Sequence, residues 1–134
     1  MTLGPALALL AAGVLGGCAE LEDAARDTAR EAGCQAAQEA VDGVTTRADE
    51  AVADLGADPA AAERELTALR DAVDAAASGV SDEVATHLGT AEGALDALSE
   101  QAQAAADGTE VDDVAVDAAQ SELDGAVEDL TQVC

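Results

Sequence analysis

The sequence predicts an all-α protein, an antiparallel up-down-up-down four-helix bundle, and three observations lead there. Four stretches carry apolar residues in steps of three or four, the spacing of one helix face. The 134 residues include 36 Ala and no Trp, Tyr or Phe, so helix formers dominate and the clusters that mark strands are sparse. The connections between stretches are short and carry Gly, Pro, Ser or Asp, which sets successive helices antiparallel. A chain of this length makes one domain and hardly two.

The N-terminal element comes first. Residues 3–17 carry no charge, and all 29 acidic residues lie downstream, beginning at Glu20. As a helix that run spans roughly 22 Å, short of a ~30 Å hydrocarbon core, which suits the apolar region of a signal peptide better than a permanent span. It ends Leu15-Gly16-Gly17-Cys18, which resembles the lipobox of bacterial lipoproteins, an aliphatic residue three before the Cys and small residues between. In composition the remainder is similar to the small Ala-rich helical lipoproteins of GC-rich actinobacteria. Lys, Asn and Ile, like Phe and Tyr, are absent, and their codons are AT-rich.

The resemblance implies diacylglyceryl transfer to the Cys18 thiol, cleavage between Gly17 and Cys18, and a protein held by acyl chains on the extracytoplasmic face of the cell membrane. Each buried CH₂ of such an anchor contributes about 0.8 kcal/mol. Residues 1–17 are then a cleaved signal peptide, 18–33 the lipidated N-terminus with a polar spacer, and 34–134 the bundle. Only the Met1 amino group is positive ahead of the apolar run, and a start further upstream restores the usual basic region. The competing reading is an N-terminal apolar helix with a buried Cys.

With Cys18 assigned to the lipid, an exported chain has Cys34 and Cys134 left to pair, in a compartment that permits oxidation. Closing a loop of about 100 residues stabilises a fold by up to ~4.7 kcal/mol in the chain-entropy model. A buried free Cys34 and intermolecular pairing through Cys134 are the alternatives. The spacing is not that of a CxxC redox pair.

The helices follow in order. Residues 19–33 hold five acids, Arg26 and Arg30, and Leu21 as the one large apolar residue, which reads as a polar, partly helical spacer with Gly33 at its joint to the domain. A helix continuous from 20 to 55 is the rival. The first apolar stripe is Ala37, Val41, Val44, Ala48, Val52 and Leu55; the second is Ala62, Leu66, Leu69, Val73 and Ala76. The third is Val84, Leu88, Ala91, Leu95, Leu98, Ala102 and Ala105, and the fourth Val116, Ala119, Leu123, Val127, Leu130 and Cys134. Asp58 with Pro59, then Ser81, read as helix starts, and Asp107-Gly108-Thr109 ends the third helix before Thr109 or Asp112 opens the fourth. The four runs are each roughly 30–40 Å long, so in an up-down-up-down bundle Cys34 and Cys134 fall at the same end. The core is thin, built from Leu, Val and Ala.

Few residues offer chemistry. His87 is the one histidine, with Ser81, Asp82 and Glu83 near it in sequence, but nothing in the pattern builds a pocket with oxyanion donors. An exposed or rim position is the ordinary reading. The acidic stretch 107–113 with Asp117 is the densest set of hard oxygen donors, yet EF-hand spacing is absent and an acid-rich helix start predicts the same letters. No metal site, cofactor or catalytic residue is assigned. Gly89 and Gly93, four apart on the third helix, read as a place of close helix approach.

A net charge of −24, with five Arg and no aromatic side chain, excludes phosphate-backbone binding and base stacking, so nucleic acid is not a partner. The charge repels anionic envelope polymers and keeps an Ala-rich bundle soluble, and a saline habitat selects the same composition. Function is therefore expected to be non-catalytic: a lipid-anchored structural or protein-interaction module, with an envelope protein as the expected partner and the chain itself a monomer. The alternative is a ligand-binding lipoprotein, cation-binding or transporter-associated.

Overall fold

A computed structural model describes residues 17–134, and the protein is all-α over them. Five helices follow one another: α1 (Gly17–Val41), α2 (Val44–Ala53), α3 (Pro59–Ala77), α4 (Asp82–Ala106) and α5 (Asp113–Val133). The end of α1 with α2 forms the first arm of the bundle, and α3, α4 and α5 form the other three. The expected signal segment lies outside the described residues except for Gly17, which begins α1.

The polar pairs across each seam give the direction of packing. Cys34 meets Cys134 while Asp49 meets Gln120, so rising along the first arm means descending α5. On the next seam, His87 lies against Asp129 and Gln101 against the backbone of Asp112, an antiparallel register for α4 and α5. Arg47 of α2 pairs with Glu65 of α3, and Arg70 of α3 with Asp96 of α4. Each of the four seams thus carries a polar link beside the core.

Local chemistry fixes the helix starts as the sequence implies. The Asp58 carboxylate accepts from the Ala61 N–H at 3.0 Å, with Pro59 in the first turn where a missing N–H costs nothing. Ser81 caps α4 by accepting from Val84 N–H, and Asp112 caps α5 by accepting from both Val114 and Ala115 N–H. Caps of this kind contribute about 1 kcal/mol each. At the end of α4 the chain turns through Gly108 at φ 78°, and the Gly108 and Thr109 N–H groups close onto the Ala105 and Ala104 carbonyls. A side chain at that φ is strained, which is why glycine stands there.

The first arm differs from expectation in two ways. There is no joint at Gly33: α1 runs unbroken through the polar 18–33 segment, as its Ala, Glu, Arg and Gln content favours. Nor is the arm one helix from 20 to 55, because it breaks at Asp42-Gly43, where Gly43 takes φ 74°. That single left-handed residue stops α1 and starts α2, and the apolar stripe passes over the break without changing face. Val41 on one side and Val44 on the other are both buried.

The core comprises Leu, Val and Ala from all five helices, with Leu66, Leu69, Leu88, Leu95, Leu98, Leu123 and Leu130 fully enclosed. Nearly every residue of the four expected stripes is in it. Val52, Ala76, Ala105 and Val127 are only half-buried and Cys134 is exposed, while Ala51, Ala94 and Ala126 join the core beyond the expected set. From residue 20 onward α1 contributes only Ala37 and Val41, and every residue from 20 to 32 is exposed, including Leu21 at 72 %. The core contains no buried charged residue among the described residues.

Candidate functional site

The expected disulfide is present: Cys34 in α1 and Cys134 just past α5 are bonded, with their Cα atoms 5.5 Å apart. Cys34 is half-buried and Cys134 exposed. Open grooves flank the bond, one lined by Arg30, Glu31, Gln35 and Gln38, the other by Arg30, Ser81, Glu83, Val84 and Val133. Arg30 is the cation shared by both.

Cys18, the expected lipidation residue, occupies the first turn of α1, directly after Gly17. Residues 20–32 of that helix are exposed, with Arg26, Ala29 and Arg30 bordering a groove beside the α3–α4 connection, and Gly33 meets that connection directly. A Cβ at Gly33 would lie 3.4 Å from the Gly79 carbonyl oxygen and from Val80, so the small residue allows the two backbones to approach. This close approach is on α1, not on α4. Gly89 and Gly93 were expected to bring helices together, but both face open space with nothing within 4 Å of an added Cβ. The stripe Leu88, Ala91, Leu95 and Leu98 takes the inward side of α4, which turns these two glycines outward. Glycine in an exposed helix interior is destabilising against alanine, so Gly89→Ala and Gly93→Ala are each expected to raise stability by about 0.5–1 kcal/mol in urea unfolding.

His87 sits at the rim of the α4–α5 seam, its side chain 24 % exposed and Nδ1 3.9 Å from an Asp129 carboxylate oxygen. Its sequence neighbours take no part: Ser81 caps α4, and Asp82 and Glu83 lie in the first turn at the helix N-terminus, where negative charge is favourable. Nucleophile, base and oxyanion donors do not converge there. The acidic stretch 107–113 is likewise accounted for locally, Asp107 ending α4 and Asp112 starting α5. Among the described residues no three His, Cys, Asp or Glu side chains gather into a group able to hold a metal ion.

One feature was not foreseen. The break at Asp42-Gly43 opens a shallow groove of about 460 Å³ against α5, lined by Gln38, Val41, Thr45, Thr46, Val127 and Thr131. Its only sequence signal was Gly43 within an otherwise regular stripe.

Charge is unevenly shared. All five Arg lie between residues 26 and 70, whereas residues 71–134 hold 16 acids and neither Arg nor Lys. Among the described residues Arg70 is the arginine that pairs with an acid of α4; its Nη1 donates to Asp96 at 2.8 Å, and that hydrogen bond, with the Asp96 charge and then Asp71, raises the guanidinium above its ordinary pKa. At the exposed end, Arg26 pairs weakly with Asp23 at 3.9 Å. Both partners of that pair are solvated, so it contributes little.

No described helix is long and apolar enough to cross a membrane. Compared with protein-family models, curated proteins and solved structures, the chain matches none.

Proposed function

We propose that this chain is a non-catalytic, lipid-anchored structural or protein-interaction module on the extracytoplasmic face of the cell membrane. The observation that carries the reading is Leu15-Gly16-Gly17-Cys18 at the end of an uncharged apolar run, with every acid of the chain beyond it. The signal peptide is removed between Gly17 and Cys18, and acyl chains on Cys18, one of them palmitate-like, hold the product in the bilayer.

The fold is consistent with that use. With the anchor at Cys18, the solvated length of α1 to Gly33 is a stalk of roughly 24 Å. It sets the disulfide end of the bundle toward the bilayer and the α2–α3 and α4–α5 connections away from it. The acidic outer faces of α4 and α5 are repelled by anionic headgroups, which favours a domain held clear of the surface. The partner is an envelope protein met at that distance, by a monomer.

Cys18→Ala tests the reading. Wild-type protein extracted from host membranes is expected to have the mass of residues 18–134 plus acyl groups, and to take two alkyl tags only after reduction. The variant should keep its leader and carry no acyl mass. Full-length, unacylated masses for both proteins, differing only by the Cys18 sulfur, would end the lipoprotein reading.

A further inference from the structure

We propose that the Cys34–Cys134 disulfide is a redox latch, holding α1 against the bundle when oxidised and releasing it about Asp42-Gly43 when reduced. The inference rests on the observed bond and packing and is independent of the lipid anchor. Helix α1 is 25 residues long yet, from residue 20 onward, places only Ala37 and Val41 in the core. Among the described residues no side-chain hydrogen bond or ion pair joins α1 to another helix, whereas α2, α3, α4 and α5 are linked at every seam. The covalent bond therefore supplies what the noncovalent contacts of α1 lack. Its pivot is already built: Gly43 holds φ 74° with open space around it, so the link can rotate without a side chain obstructing it.

The bond is also open to attack. Cys134 is exposed, and the grooves on either side admit a reductant. A thiolate of a dithiol reductant attacks Cys134 Sγ, forming a mixed disulfide and breaking the bond to Cys34, whose sulfur leaves as a thiolate and takes a proton. Arg30, lining both grooves, offsets that negative charge. The second thiolate of the reductant then resolves the mixed disulfide, so two electrons pass to the cysteine pair and the reductant becomes the disulfide. Release of α1 uncovers the apolar strip at Val80, Val84 and Val133.

Amide hydrogen exchange of the full chain, oxidised and then reduced with dithiothreitol, reads the latch directly. Peptides from residues 20–41 are expected to exchange at least ~10-fold faster after reduction while those from α3 and α4 change by under about 2-fold. The Cys34→Ser/Cys134→Ser double variant should show the same local pattern without reductant. Unchanged α1 protection, or an equal loss across α1, α3 and α4, overturns the proposal. Because the reduced chain has a thin core, oxidised Val41→Ala gives a second reading with the ring intact. Its α1 peptides should lose less than about 3-fold in protection. A loss as large as that on reduction would place the hold in packing and overturn the latch.

Discussion

Leu98→Ala is expected to lower the free energy of unfolding by about 3 kcal/mol or more, among the largest effects of any single side-chain truncation in this protein. Leu98 is fully enclosed on α4, the helix that packs against both α3 and α5 most extensively. Removing its outer carbons loses their transfer energy and leaves a void. Nine of the 22 buried core residues are alanine, whose side chains cannot swing into a void, so the core collapses poorly and the cavity cost is retained. Small domains have a total stability of about 5–15 kcal/mol, and a core without aromatic residues sits toward the low end. The truncation should therefore move the urea midpoint by a large fraction of its value. Val114→Ala is the control: Val114 is 78 % exposed in the first turn of α5, and the change should stay within about 0.5 kcal/mol. Similar losses for the two variants would mean that the buried Leu set is not what holds the helices together.

The legibility of this fold follows from the same feature. Where a helix has one inward face, a step of three or four identifies it, and the Leu and Val positions of α3, α4 and α5 fall where the periodicity puts them. The periodicity is blind to a break that preserves the face. Val41 and Val44 are three apart, a spacing that suits both a continuous helix and a turn through Gly43, so the first arm read as unbroken. Only the φ of Gly43 separates the two. Gly89 and Gly93 are a different case. Their places off the stripe at Leu88, Ala91 and Leu95 already turned them outward, and reading them as small contact residues gave too much weight to their size. The His87–Asp129 pair depends on the register between α4 and α5, which the turn at Gly108 sets and no local pattern contains. At the candidate site, Cys34 and Cys134 were legible because helix number and length put them at one end. The groove at Asp42-Gly43 was not, since it exists only because of the break.

Reducing the disulfide should produce the other large loss. The chain-entropy model gives up to ~4.7 kcal/mol for a loop of about 100 residues, and native disulfides removed from small secreted domains typically cost 2–5 kcal/mol. Cys34 and Cys134 are separated by 100 residues, so the bond encloses all four arms of the bundle, and reduction restores to the unfolded chain the freedom of the whole loop. In the native state reduction frees only α1, with its two core residues Ala37 and Val41, while neither sulfur is fully buried and the Leu set of α3, α4 and α5 keeps its packing. The effect thus acts mainly through the unfolded ensemble. That origin gives a specific expectation: reduction and the Cys34→Ser/Cys134→Ser variant should lower the urea midpoint by the same amount, and Leu98→Ala should add to it nearly in full, since the two sites share no partners. The reduced protein also lets α1 separate, so its urea transition should be broader than the oxidised one, with far-UV ellipticity beginning to fall before the bundle unfolds. A reduced protein that unfolds at the oxidised midpoint would mean that the unfolded chain keeps its ends together without the bond, and the entropic account would fail with it.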